Sequence, residues 1–235
     1  MTKRFELQGA GMDLRRILKL VLLLACSFGV SAQSAPSAAS QDAPRQQRKT
    51  SEPYKGDLSI FESPGRDERL HINRVMDILG VNAGKNVADI GAGSGWFTVR
   101  AAKRVGDGTV YAVDINPEAI RYIAERAEKE KLPNVKAILS KPDDPMLPAN
   151  SVDAVLLLKT YHEVGHPVEL LRNVRAALRT GAKVGIIDRK GNGENHGIGS
   201  EVVIREAKEA GYRLISQYDF VKGDDMDYFL GFTME

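Results

Sequence analysis

Val87-Ala-Asp-Ile-Gly91-Ala-Gly-Ser-Gly-Trp96 is the stretch that decides the fold of this 235-residue chain. An apolar run, residues 86–90, leads straight into three glycines at alternate positions, and an amphipathic segment follows. This order reads as a buried strand, a tight turn and the start of a helix. The glycines permit positive φ and let the backbone approach a ligand closely. A dinucleotide fingerprint has glycines at the first, third and sixth positions of the loop, and the sixth position here is Trp96. A nicotinamide or flavin reading is therefore demoted.

Outward from this turn, helix and strand patterns alternate. Upstream, Ile72, Val75, Met76 and Leu79 keep helical spacing, and Gly80 stops that helix. Downstream, residues 109–113, 135–139, 152–158 and 183–187 read as strands. The 152–158 run is almost wholly apolar, as in a strand buried on both faces of a parallel sheet. Asn116-Pro117 caps and opens a helix with Ile120, Ile123, Ala124 and Ala127 on one face. Pro167 opens another with Leu170, Leu171, Val174 and Leu178 inward, and Gly181 is expected to close it. Ser200 is expected to cap a helix running to Gly211. Residues 212–220 and 226–233, joined by the polar turn 222–225, are expected as a closing antiparallel pair. The alternation predicts a doubly wound α/β sheet, whose ligands sit at the carboxyl ends of its strands.

Three carboxylates stand at the tips of successive strands. Asp89 adjoins the glycine turn, Asp114 ends the next strand 25 residues later, and Asp143 follows the third. A carboxylate at Asp114 is placed to accept the hydroxyls of a ribose, and one at Asp143 to accept from an adenine amino group. Any one of these acids is explained equally well as a solvated loop residue or a helix cap. The three together with the glycine turn are harder to explain that way.

On these residues the region 66–235 resembles the class I S-adenosylmethionine-dependent methyltransferases. Asp89-Ile-Gly91-Ala-Gly93-Ser-Gly95 looks like their first motif and Val110-Tyr-Ala-Val-Asp114 like their second. Pro142-Asp143-Asp144 through Ser151-Val-Asp153 looks like their acidic loop and fourth strand. Leu178-Arg-Thr-Gly181-Ala-Lys-Val resembles the approach to strand five, with Gly-Ala where Gly-Gly is usual. The resemblance implies a mostly parallel, Rossmann-like seven-stranded sheet with an antiparallel last strand, and S-adenosyl-L-methionine as cofactor. It implies cofactor binding by Asp89, Gly91, Ala92, Gly93, Ser94, Gly95, Asp114, Ile115 and Asp143, with Lys159 alongside. The methyl acceptor is expected to be a small molecule. The alternative kept open is a nucleoside-binding module of the same fold without turnover.

His162-Glu163-Val164-Gly165-His166 satisfies H-E-x-x-H, which suggests a zinc metallopeptidase. That chemistry needs both histidines on one helical face, and a helix opening at Pro167 leaves His162 outside it. The expectation is therefore no metal. Tyr161, His162 and Glu163 instead belong at the tip of the fourth strand, facing the transferred methyl group, and His196 is expected on the same rim. A histidine there is suited to take a proton from an acceptor hydroxyl or amine. A catechol-type metal site would want an Asp where Lys159-Thr160 stands.

Charge separates the chain into two parts. Residues 1–50 carry eight Lys/Arg against three acids, while the formal net charge of the whole is +2. The rest, with 33 less 8 basic and 31 less 3 acidic residues, is net acidic by three. No nucleic-acid footprint is present. Arg15, Arg16 and Lys19 precede an apolar run at 20–30 that ends in Val30-Ser31-Ala32, the pattern of a secretory signal peptide over residues 1–32. The run is too short to span a bilayer. Leu23-Leu24-Ala25-Cys26 also resembles a lipoprotein box, with a lipid anchor at Cys26. The expected organisation is an exported, periplasmic protein with a flexible linker at 33–56 and a domain at 57–235. Cys26 is the chain's one cysteine, so disulfides and thiol nucleophiles are excluded from the domain.

Overall fold

The computed structural model describes residues 47–52, 54–192 and 196–235. The expected signal peptide and Cys26 lie outside them. A seven-stranded sheet has the order β3-β2-β1-β4-β5-β7-β6. Its strands are β1 (Val87–Ile90), β2 (Val110–Asp114), β3 (Val135–Leu139), β4 (Val152–Leu158), β5 (Leu178–Asp188), β6 (Tyr212–Tyr218) and β7 (Tyr228–Met234). Strands β1 to β5 pair in parallel, and β7 runs antiparallel to both β5 and β6. β1 and most of β4 are buried, which is why they read as mostly apolar runs broken by Asp89 and Asp153. The chain leaves β1 for β2 on one side and reaches β4 on the other. The switch point of the sheet therefore lies above Ile90 and Leu158, where such folds bind ligands.

Helices cover both faces. α1 (Arg66–Leu70), α2 (Ile72–Leu79), α3 (Trp96–Val105) and α4 (Pro117–Lys129) precede β3, and α5 (Pro167–Ala177) and α6 (Ser200–Glu209) follow β4 and β5. α2 and α3 bury Val75, Leu79, Phe97 and Val105 against Val87, Ala154 and Leu156. α5 and α6 bury Leu171, Val174, Val203 and Ala207 against Val155, Val184 and Ile186 on the other face. Asn116 caps α4 by accepting from the Glu118 N–H, with Pro117 in the first turn. No helix among the described residues is long and apolar enough to cross a membrane.

Several local expectations are corrected. α5 ends at Ala177, not at Gly181. Leu178 is buried as foreseen, but as the first residue of β5, paired with Val152. The register then shifts, and Gly181, with φ of 79°, lies inside that irregularity. Gly199, not Ser200, is the residue before α6, and α6 stops at Glu209. β6 ends at Tyr218 because a short 3₁₀ turn, Phe220–Asp224, follows it.

The largest departure concerns the expected linker. Its described residues between 47 and 56 pack on the domain. The Arg48 N–H donates to the Gly165 carbonyl at 2.9 Å, and the Arg48 guanidinium donates to the Tyr161 carbonyl and pairs with Glu206 at 2.7 Å. Tyr54 meets Phe61 edge-on at 5.5 Å, and its carbonyl accepts from Asn116. Lacking apolar periodicity, this segment is held by polar bonds that a hydropathy pattern does not register.

Candidate active site

A cavity of about 740 Å³ opens over the carboxyl ends of β1, β2 and β4. One end is the glycine turn. Gly91, Gly93 and Gly95 all have positive φ. At Gly91, with φ of 73°, a Cβ would lie 2.2 Å from Cγ2 of Thr160, so both conformation and space demand glycine. Gly93, Ala92 and Ser94 line the cavity, whereas Gly95 packs toward Ile123 and α4. The Ser94 hydroxyl donates to Glu62 at 2.6 Å, and Glu62 also pairs with Arg126, which donates to the Ser94 carbonyl. Residues ahead of α1 thus clamp the turn from outside.

Asp114 stands at the tip of β2, lining the cavity with Ile115. One carboxylate oxygen accepts from the Gly93 N–H at 2.8 Å and the other from the Asn116 N–H at 2.9 Å. Burial pushes its pKa up, against the pull of those backbone bonds. Each oxygen keeps lone-pair capacity toward the cavity, the donor set a vicinal diol needs. Asp89 is almost wholly buried on the cavity floor and accepts from the Thr98 hydroxyl at 2.6 Å. Burial raises its pKa to about 7, with the Thr98 hydrogen bond opposing the rise. Lys159, in the left-handed region at φ of 55°, also lines the cavity. Burial and the nearby Arg189 and Arg66 hold its ammonium below the ordinary lysine range.

At the other end the structure brings together His162, Glu163 and His196, as the sequence led us to expect. His162 lies in a 3₁₀ turn, Tyr161–Glu163, directly after β4. Its Nδ1 is 2.8 Å from Oδ1 of Asp188, and its main-chain N–H donates to Oδ2 of the same carboxylate. Asp188 is fully buried at the end of β5 and also accepts from the Arg189 N–H. A carboxylate only accepts, so Nδ1 carries a proton and donates it to Asp188. Nε2 lies 3.4 Å from Oε1 of Glu163, and Nδ1 of His196 lies 3.0 Å from that same oxygen. Oε2 of Glu163 accepts from the Ser51 N–H at 2.7 Å. Burial works to raise the Glu163 pKa, but the Ser51 and His196 hydrogen bonds and the His162 ring outweigh it and bring it to about 2.

Besides Gly95, two expected residues stand elsewhere. Tyr161 does not line the cavity. It is fully buried in the core between β4 and α6, its hydroxyl donates to Glu206 at 2.9 Å, and its pKa is pushed up by burial. A 3₁₀ turn sends neighbouring side chains in divergent directions, so Tyr161 and His162 cannot share one rim. Asp143 also falls outside the lining. Its loop contributes Ser140, Lys141, Pro142 and Pro145, and the Asp143 carbonyl accepts from Asn173. His166 lines the cavity as the residue preceding α5, outside the turn that carries His162, so the H-E-x-x-H residues share no helix. Asp188 and the 47–54 segment were missed by the sequence reading. An acid closing an apolar strand was the available signal for Asp188.

The cavity lies within the usual volume range of small-molecule sites. A glycine cradle with no Cβ to fill it, beside a carboxylate with free lone pairs, fits a nucleoside bearing an amino-acid tail.

Known proteins agree with this geometry. Residues 87–181 match the methyltransferase domain family. An uncharacterized methyltransferase of Mycobacterium tuberculosis is 35% identical over 112 residues, 48% of this chain and 43% of that protein. Nocamycin O-methyltransferase of Saccharothrix syringae is 36% identical over 83 residues, 35% of this chain and 30% of that protein. The chain thus spans less than half the length of these curated relatives. The crystal structure of an S-adenosylmethionine-dependent methyltransferase from Aquifex aeolicus superposes with a TM-score of 0.66 at 28% identity. That match covers 76% of this chain and 97% of that one. The sheet order and glycine turn are those of the S-adenosylmethionine-dependent methyltransferase fold, and residues 87–181 resemble a methyltransferase domain. S-adenosylmethionine is the cofactor of such a domain.

Proposed function

We propose that this chain methylates a small-molecule acceptor, and that it does so after export from the cytoplasm. The observation that carries the reading is the continuity of one cavity. The glycine turn and Asp114 form one end, and a histidine oriented by a buried carboxylate forms the other. Bound cofactor supplies a methyl group on a positively charged sulfur, already activated toward a nucleophile. The protein's part is alignment, exclusion of water and proton removal. Asp114 holds the ribose hydroxyls. Gly91 and Gly93 let the backbone close on the amino-acid end, and Lys159 stands beside it. Nε2 of His162, aimed by Asp188, takes the proton from the acceptor, and Glu163 stabilises the imidazolium that results.

The test is a titration of the full chain with S-adenosylhomocysteine, followed through Trp96. This is the chain's one tryptophan, and it lines the cavity with the Arg66 and Arg100 guanidiniums over its ring at 4.4 and 4.1 Å. A saturable change, weakened at least about tenfold by Asp114→Ala, is expected from the loss of a charge-assisted pair of hydrogen bonds. Folded protein with no response by fluorescence or calorimetry refutes the nucleoside site. Release of S-adenosylhomocysteine from S-adenosylmethionine in the presence of thiols, phenols or amines then separates an enzyme from a binding module. Fractionation of cells expressing the full chain tests export.

A further inference from the structure

The acceptor end of the cavity holds more ligating atoms than proton transfer requires. Nε2 of His162, Oε1 of Glu163 and Nδ1 of His196 all lie within 4.8 Å of one another. Two of the separations are 3.4 and 3.0 Å. A zinc ion bound tetrahedrally at about 2.0–2.1 Å from each ligand needs ligand–ligand edges of roughly 3.3 Å. These two separations bracket that edge, and the third, between the two imidazoles, is within 4.8 Å.

The supports behind these atoms are those of a metal centre. Nδ1 of His162 is tied to the fully buried Asp188, which fixes the tautomer and leaves Nε2 free to ligate. Oε2 of Glu163 is taken by the Ser51 N–H, which turns Oε1 toward the two histidines. His196 adopts φ of 55°, in the left-handed region, and the Arg189 guanidinium holds its carbonyl at 2.6 Å.

We propose that His162, Glu163 and His196 bind one divalent zinc ion, with the fourth coordination position open to the cavity. Two imidazoles and one carboxylate leaving an open position is the catalytic and not the structural pattern. That position accepts an anionic oxygen or sulfur donor. Insofar as the methyl-transfer reading holds, the ion takes up Nε2 of His162 in place of its role as base, and the acceptor is a thiol or an acidic hydroxyl compound that binds already as its anion. The site takes only half of the H-E-x-x-H sequence and replaces His166 by a histidine some thirty residues further on.

The full chain is stripped with chelator and dialysed against Zn²⁺ for metal analysis, or against Co²⁺ for the visible absorption of a tetrahedral ion. Near one equivalent per chain is expected. H196A and E163Q should each weaken binding at least about tenfold, and D188N by about 10–100-fold through the orientation of His162. H166A should retain the ion. Metal content in the wild type no higher than in H196A and E163Q, or loss of the ion in H166A, overturns the site. S-adenosylhomocysteine titration of the same samples keeps the two readings apart. Nucleoside binding without zinc refutes the metal alone, and zinc without nucleoside binding refutes the methyltransferase reading alone.

Discussion

Replacing Asp89 by Asn should stabilise the fold at neutral pH while weakening its function. Asp89 is almost wholly buried, and its one hydrogen-bonded side-chain partner is Thr98. Its folded pKa of about 7 compares with an unfolded value near 3.9, so the native state binds the proton more tightly than the unfolded chain does. This contribution to stability is complete below about pH 4 and is lost as pH rises through about 7. Over the interval from about pH 5 to pH 8 the native state is protonated for nearly two more pH units than the unfolded state. At about 1.36 kcal/mol per unit, the loss is about 2–3 kcal/mol. Asn has the shape of the protonated acid and still accepts from Thr98, so D89N should show none of this component. Urea unfolding across that range measures it directly. D89N and wild type should be alike near pH 3, and the advantage of D89N should grow by about 2–3 kcal/mol between about pH 5 and pH 8. Thr98→Val, which removes the hydrogen bond that opposes the rise, should move the wild-type transition to higher pH. Parallel stability profiles for D89N and wild type would refute the assignment of a raised pKa to this carboxyl.

Two further substitutions probe the geometry. Gly91→Ala sets a Cβ against Thr160 at a positive φ, and should cost at least about 2 kcal/mol in thermal or urea unfolding and abolish the Trp96 response to S-adenosylhomocysteine. Tyr161→Phe removes a buried hydroxyl from a charged partner, and should cost about 1–3 kcal/mol of stability while leaving nucleoside affinity and turnover within about threefold of wild type. A large loss of turnover there would return Tyr161 to the reaction.

Architecture was legible because one physical signal dominates it. β3 and β4 fall on the residues where apolar continuity put them, and α4 begins at the Asn-Pro pair that defined its cap. Errors cluster where the signals were weaker. Gly181 was taken as a helix stop because a glycine after an amphipathic run usually is one, yet here its positive φ serves a strand irregularity. In the site, the glycine turn and Asp114 could be placed because each follows or ends a short, mostly apolar strand. The grouping of His162 with His196 was also foreseen, from strand tips alone. Asp143 and Tyr161 were misplaced because a strand-tip argument gives the rim but not the direction of a side chain. Asp188 acts through a hydrogen bond across 26 residues. No local periodicity encodes that.

The packing of residues 47–56 bears on where this domain begins. A boundary drawn from strands and helices alone falls after these residues, since the first regular turn, Leu58–Phe61, follows them. Cutting there keeps every sheet residue and the whole glycine turn. It also takes away the main-chain donor on Glu163, the Arg48–Glu206 pair and part of the cavity wall. A protein trimmed in this way keeps the glycine turn but loses part of the cavity wall, and an assay on it would mistake a missing wall for a missing activity.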